Sequence, residues 1–121
     1  MDRTTRQSWL VFLLGALALT SCATTPDIVE LTPAQGQMVR PAELACRTHD
    51  DCVKIDAIDG CGCSAGGFDG VANKKYLETI RKRIQAAHPD THCPAVMNAD
   101  PACIGVIPCC HQGTCMLVHK D

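Results

Sequence analysis

The side chains of this chain best suited to chemistry are its cysteines, of which there are ten in 121 residues. A thiol can oxidise to a disulfide, ligate a soft metal ion such as zinc or copper(I), or act as a nucleophile once it is deprotonated. Disulfides persist outside the cytoplasm, whereas cysteines in a cytosolic protein more often serve metal binding or catalysis. The cellular address therefore has to be established before the cysteines can be interpreted.

The N-terminus has the pattern of an export signal that ends in a lipidation site. Two arginines, Arg3 and Arg6, precede a mostly apolar run from Trp9 to Leu19 that is too short to span a bilayer comfortably. The tetrapeptide Leu19-Thr-Ser-Cys22 follows and resembles the bacterial lipobox, in which the cysteine is lipidated and becomes the first residue of the mature protein. We predict a lipoprotein signal peptide over residues 1–21 and a lipid anchor, palmitate included, on Cys22.

The segment after the lipidation site predicts a flexible tether over residues 22–43, because it is rich in Pro, Thr, Gln and Gly and shows no sustained hydrophobic period. An N-terminal strand docked on the domain through Ile28, Val29 and Leu31 is the alternative. Ala23 follows Cys22 directly. In enteric-type sorting an Asp there would favour the inner membrane, so the sequence favours an outer-membrane lipoprotein of the bacterial cell envelope with an extracytoplasmic domain.

The domain expected over residues 44–121 has few large apolar side chains. Phe68 and Tyr76 are its only aromatic residues, so hydrophobic burial alone contributes little per residue. In an exported protein its cysteine density indicates a disulfide scaffold. The mature chain without Cys22 has nine cysteines, an odd number, and the ambiguity lies at the adjacent Cys109 and Cys110. For Cys110 we considered a buried or idle thiol, an intermolecular bridge, and a redox or metal role.

Four segments have a readable secondary-structure pattern. Residues 52–58 alternate apolar and polar side chains as a half-buried strand does, and residues 71–88 repeat apolar side chains at helical spacing up to Pro89. Two short apolar runs, 104–107 and 115–119, flank a plausible turn. We therefore predict a small disulfide-rich α+β fold in which one amphipathic helix packs on a two- or three-stranded antiparallel sheet.

The order of the cysteines with their neighbours resembles the eight-cysteine-cluster proteins of bacteria, which are small exported or lipidated proteins. The resemblance rests on Cys46-x5-Cys52-Val53, on the segment Gly60-Cys-Gly-Cys-Ser-Ala-Gly-Gly67, on Ala72-Asn73 at the predicted helix start, and on the spaced later cysteines. It implies a disulfide-stabilised extracytoplasmic domain and no agreed activity. Carried over by position, it leaves Cys110 as the extra, candidate free thiol and makes disulfide candidates of the other eight: Cys46, Cys52, Cys61, Cys63, Cys93, Cys103, Cys109 and Cys115.

Metal binding is the sharper alternative for the same residues. The candidate ligands are soft donors: Cys61, Cys63, Cys109, Cys110, His111, Cys115 and His119. The spacing lacks paired Cys-x-x-Cys elements, and oxidation competes for exported thiols. Cys110 could act as a catalytic nucleophile activated by His111, but the sequence identifies no acidic residue that would orient the histidine. We therefore expect no metal, no cofactor and no catalytic residue.

The predicted helix carries a cationic patch formed by Lys74, Lys75, Arg81, Lys82 and Arg83. It is either a solvated helix face or a contact for anionic lipid or an acidic protein. The net charge of −2 and the scarcity of aromatic residues argue against nucleic acid as a partner. We predict a non-catalytic binding or structural module that contacts the membrane through its anchor and binds an unidentified protein or envelope partner. The alternative is a protease-inhibitor-like module that presents a disulfide-bounded loop, Cys103–Cys109, and a thiol metal or redox protein ranks below it.

Overall fold

The computed structural model describes residues 27–120, so the predicted signal peptide and Cys22 lie outside the described residues. The regular elements are helices α1 (Pro33–Met38) and α2 (Leu77–Ala87) and strands β1 (Cys52–Ile55), β2 (Gly70–Asn73), β3 (Val106–His111) and β4 (Thr114–His119). Strand β1 pairs with β2 and β3 with β4, both antiparallel. The predicted small disulfide-rich α+β fold is confirmed, with its strands divided into two two-stranded sheets.

The β1–β2 sheet lies between helix α2 and the β3–β4 hairpin. Alternate residues of a strand point to opposite faces, and here Ile55 and Ala72 join a buried cluster with Ile80 and Ile84 of helix α2. The opposite face contributes to a second cluster, whose buried members are Val29, Cys52, Val71, Cys115 and Leu117. Each face of the small sheet is therefore covered, and together the two clusters form the core.

The predicted helix over residues 71–88 begins later than its sequence pattern indicated. Val71 and Ala72 are fully buried in strand β2, where a β-branched side chain packs well. The Asn73 side chain then accepts a hydrogen bond of 3.0 Å from the Lys75 backbone N–H, which caps a 3₁₀ turn, Lys74–Tyr76, that leads into α2. Helix α2 ends at Ala87, two residues before Pro89, as the sequence predicted.

The strand predicted over residues 52–58 and the hairpin predicted near the C-terminus are both present, with shifted limits. Strand β1 stops at Ile55, and Ala57 takes a left-handed conformation with φ of 59°. In the hairpin, Gln112 and Gly113 have φ of 49° and 77°, and two consecutive positive values suit the tight turns that match the twist of paired strands.

The flexible tether predicted over residues 22–43 is wrong for residues 28–43, because this segment packs on the domain. Val29 and Val39 are buried, and the Val29 N–H donates a hydrogen bond of 2.9 Å to the Leu117 carbonyl. The buried Gln35 amide donates to the Val71 carbonyl (2.7 Å) and accepts from the Val71 N–H (3.0 Å). Gln35 thus acts as a strand partner for the edge of β2, and the folded domain begins before residue 44.

Candidate functional site

Four disulfides join described residues, and they connect distant parts of the chain. The bonds are Cys46–Cys110, Cys52–Cys115, Cys61–Cys93 and Cys63–Cys103, with sequence separations of 64, 63, 32 and 40 residues. Cys109, which is fully buried, is also disulfide-bonded. The cysteines of the described part of the chain are therefore oxidised.

The prediction that Cys110 is the free thiol is wrong, because its sulfur is bonded to Cys46. Cys109 and Cys110 are adjacent in strand β3, so their side chains point to opposite faces of the hairpin. Cys110 shares its face with Cys115, its partner in the register, and both reach toward the segment that precedes or begins β1. The Cys110 N–H also donates to His49 Nδ1 at 3.2 Å.

The candidate metal ligands are distributed over the fold or occupied by disulfides. The sulfurs of Cys46, Cys52 and Cys115 lie within 4.8 Å of one another, but each belongs to a disulfide, whereas zinc and copper(I) bind thiolates. His111 and His119 lie at opposite ends of the hairpin, roughly 17 Å apart at the rise of a strand. These two histidines cannot ligate the same ion, and the Cys61 and Cys63 sulfurs are bonded elsewhere.

The bonds of Cys61 and Cys63 create a covalent ring. Residues 61–63 form one side, residues 93–103 form the other, and the Cys61–Cys93 and Cys63–Cys103 bonds close it. We call this unit the disulfide ring. Residues 91–99 contain no helix or strand, and the residues Val96 and Met97 are 57% and 78% exposed. The ring thus presents two apolar side chains to solvent on a covalently closed segment.

Close packing and one buried carboxylate hold the base of the disulfide ring. A Cβ placed on Gly67 would lie 1.5 Å from the Cys61 carbonyl oxygen, so only glycine fits there. Asp69 Oδ1 accepts hydrogen bonds from the backbone N–H groups of Ala57 (3.1 Å) and Cys63 (3.2 Å), and Asp69 Oδ2 lies 3.7 Å from Lys54 Nζ. Beside the ring is an open cavity of about 360 Å³. It is lined by Lys54, Asp56, Ala57, Gly62, Cys63, Ser64, Asp69, Met97 and Cys103.

The predicted loop between Cys103 and Cys109 has a disulfide-bonded cysteine at each end, but its second half is strand. Cys103 is bonded to Cys63, and strand β3 begins at Val106 and pairs with β4 from that residue onward. Pairing with β4 satisfies many of the backbone hydrogen-bonding groups of β3, and Val106 is half-buried. A segment closed by two disulfides and free of helix and strand is found in the disulfide ring. The sequence does not locate it, because disulfide connectivity does not follow from cysteine positions alone.

Four of the five residues of the predicted cationic patch are exposed, and the fifth, Arg83, is half-buried. Lys74, Lys75, Arg81 and Lys82 are exposed, and Lys75 Nζ lies 5.4 Å from the ring centroid of Tyr76. Arg83 points elsewhere, since its guanidinium binds the Glu43 carboxylate at 2.7 and 3.3 Å and donates to the Met38 carbonyl.

The two carboxyl groups with lowered pKa are engaged in structural contacts. The hydrogen bond from the Arg83 guanidinium lowers the pKa of Glu43 below the usual value. Burial of the Glu43 carboxylate acts in the opposite direction, but its effect is smaller. Hydrogen bonds from the backbone N–H groups of Arg47 and Thr48 lower the pKa of the half-buried Asp51, and the charge of Lys74 adds to the effect. Both carboxylates therefore stay ionised and serve to fix local backbone.

No family model, curated protein or solved structure matches this chain. The resemblance to the eight-cysteine-cluster proteins therefore stays a prediction from the sequence. Among residues 27–120, no helix is both long and apolar enough to cross a membrane.

Proposed function

We propose that this protein is a bacterial lipoprotein of the cell envelope, and that its disulfide-stabilised domain is a non-catalytic binding or structural module. The observation that carries the proposal is the set of four disulfides. Bonds of this kind persist in oxidising, extracytoplasmic compartments, in agreement with the export signal. They also hold exposed segments in one conformation, which lowers the entropic cost of binding a partner.

A lipid anchor on Cys22 would be close in sequence to the first described residue of the domain, Asp27. Residues 23–26 alone separate Cys22 from Asp27, a reach of roughly 17 Å when fully extended. The Asp27 carbonyl accepts a 3.0 Å hydrogen bond from the His119 N–H, so this end of the domain is fixed beside strand β4. A lipid on Cys22 would hold the β4 end close to the bilayer surface instead of tens of ångströms above it.

The anchor is tested by comparing wild-type protein with Cys22→Ser in the native host. More than one acyl chain is needed for stable attachment, since each buried methylene contributes about 0.8 kcal/mol. We expect wild-type protein in the membrane fraction, with an intact mass that includes acyl chains, and Cys22→Ser protein released from the membrane. Tight membrane association of Cys22→Ser would contradict the proposal. So would an intact mass of wild-type protein in which Cys22 carries no lipid.

A further inference from the structure

We propose that the disulfide ring is a peptidase-binding loop, in which Met97 enters the apolar primary pocket of an extracytoplasmic serine endopeptidase. This inference rests on the proposed non-catalytic binding function and names the kind of partner and the contacting residue. Met97 is the most exposed of the large apolar side chains in the described chain, at 78%, and Val96 beside it is 57% exposed. The two adjacent residues offer a partner an apolar contact on a segment that is closed by disulfides.

The backbone around Met97 is available to a second protein. The N–H and C=O groups of Ala95, Val96 and Met97 form no hydrogen bond with the rest of the described chain. Recognition of an unpaired segment through main-chain hydrogen bonds, with side-chain pockets adding specificity, is a general mode of peptide binding. In serine peptidases the primary pocket selects the side chain that precedes the cleaved bond, and an apolar slot accepts a large apolar residue.

The segment is also fixed from the inside, immediately after Met97. The Asn98 N–H donates to the Cys63 carbonyl at 2.7 Å, and the Asn98 side-chain amide donates to the Gly67 carbonyl at 2.9 Å. Asp100 continues the support, because its carboxylate accepts from the Ala102 N–H at 2.9 Å. These contacts and the two disulfides restrict the segment before binding, so less conformational entropy is lost in a complex.

The disulfide ring would also keep the peptidase bound after cleavage, because the two cleaved ends could not leave as separate products. If the enzyme hydrolyses the bond after Met97, the C–N bond breaks, the Met97 carbonyl carbon gains a hydroxyl from water, and the Asn98 nitrogen gains a hydrogen. The two new ends remain joined through Cys61–Cys93 and Cys63–Cys103. They cannot diffuse apart, so the bond can re-form in the bound state and the protein acts as an inhibitor.

The test measures inhibition of two serine peptidases by the purified mature protein in detergent. One enzyme has an apolar primary pocket of the chymotrypsin kind and the other an acidic pocket of the trypsin kind. We expect wild-type protein to inhibit the first, Met97→Asp to weaken this inhibition roughly 100-fold, as expected for a central hot-spot residue, and Met97→Lys to transfer inhibition to the second. Ile104→Asp is the matched control, because Ile104 is 57% exposed and lies just outside the ring; it should change inhibition by less than about threefold.

The outcomes separate this inference from the broader proposal. An unreduced mass that retains the bridges verifies that each variant has folded. Nicked wild-type protein should gain the mass of one water and divide into two fragments only after reduction. The inference is overturned if wild-type protein inhibits neither enzyme, or if Met97→Asp and Met97→Lys behave like wild type. In that case the fractionation of Cys22→Ser still tests the envelope-anchored module independently, because the inhibition assay does not depend on the anchor.

Discussion

At the scale of single residues, Arg83 shows how a charge on helix α2 is used to fix the N-terminal segment. Its side chain is 24% exposed, whereas that of Glu43 is 7% exposed. Glu43 also accepts a 2.9 Å hydrogen bond from the Arg40 N–H, so the pair joins α2 to the turn after α1. A carboxylate this deeply placed is stable only while it is paired.

Arg83→Ala should therefore destabilise the protein by about 2 kcal/mol, less than the 3–5 kcal/mol typical of a fully buried pair because solvent partly reaches Arg83. Lys82→Ala, on the exposed face of the same helix, should stay within about 0.5 kcal/mol of wild type. Urea unfolding of the three proteins checks this. Equal losses for the two variants would mean that the ion pair contributes nothing specific.

The lowered pKa of Glu43 predicts the direction of acid sensitivity. Because its folded-state pKa lies below the usual value of 4.5, the ionised carboxylate stabilises the fold above that pH. The contribution is lost as the pH falls through the folded-state pKa. Glu43→Gln should therefore have a lower melting temperature than wild type at neutral pH and a smaller decrease between neutral pH and about pH 3. Part of the decrease in melting temperature should remain in Glu43→Gln, because the pKa of Asp51 is also lowered.

Gln85→Ala, at an exposed position of the same helix α2 that does not titrate, is the control for that pH series. Its melting temperature should follow wild type throughout the pH range. A Glu43→Gln curve parallel to wild type would show that the Arg83 contact does not couple to folding.

At the scale of elements, the sequence predicted what local pattern determines. The hairpin, the end of α2 and the position of β1 follow from turn residues, Pro89 and alternation. The start of α2 was misjudged because Val71 and Ala72 suit either a helix or a strand, and pairing with β1, a non-local event, decides for the strand. The disulfide ring likewise depends on non-local pairing. The sequence allows several disulfide partners for Cys61 and for Cys63 and does not select among them.

The packing of the N-terminal segment is not predictable from the sequence because a side-chain contact holds this segment on the domain. Thr32-Pro33 is a helix-start signal that the loop-like composition obscured. What ties α1 to the domain is the paired hydrogen bonding of Gln35 with Val71, and no periodicity in the sequence indicates such a contact.

Gln35→Leu should cost about 2–3 kcal/mol, since it keeps the volume but leaves the N–H and C=O of Val71 buried without partners. Gln37→Leu, at an exposed position of the same helix, should be nearly neutral. Amide hydrogen exchange adds a local readout: the Val71 N–H should exchange faster in Gln35→Leu than in Gln37→Leu. Unchanged protection of Val71 would mean that α1 is not held by this amide.

At the scale of the whole molecule, the disulfides divide into two pairs with different tasks. Cys46–Cys110 and Cys52–Cys115 join the hairpin to the segment that precedes or begins β1, and Cys52 and Cys115 belong to the core. The disulfide ring lies apart from that core, with Cys93 exposed. The core bridges should therefore determine global stability, and the ring should determine the conformation of one surface.

Replacing each kind of bridge by alanines separates the two tasks. Cys52→Ala/Cys115→Ala should cost about 4–5 kcal/mol, because it removes a long-range bridge and leaves a cavity among buried side chains. The Cys61–Cys93 bond closes a shorter interval of 32 residues. Its removal in Cys61→Ala/Cys93→Ala should therefore lower the free energy of unfolding by about 2–3 kcal/mol. Guanidinium unfolding measures both. The ring variant should keep a cooperative transition while losing peptidase inhibition, since the core is intact but residues 93–103 are no longer restricted at both ends. A ring variant that unfolds more readily than the core variant would contradict this division, because the ring would then be part of what holds the domain together.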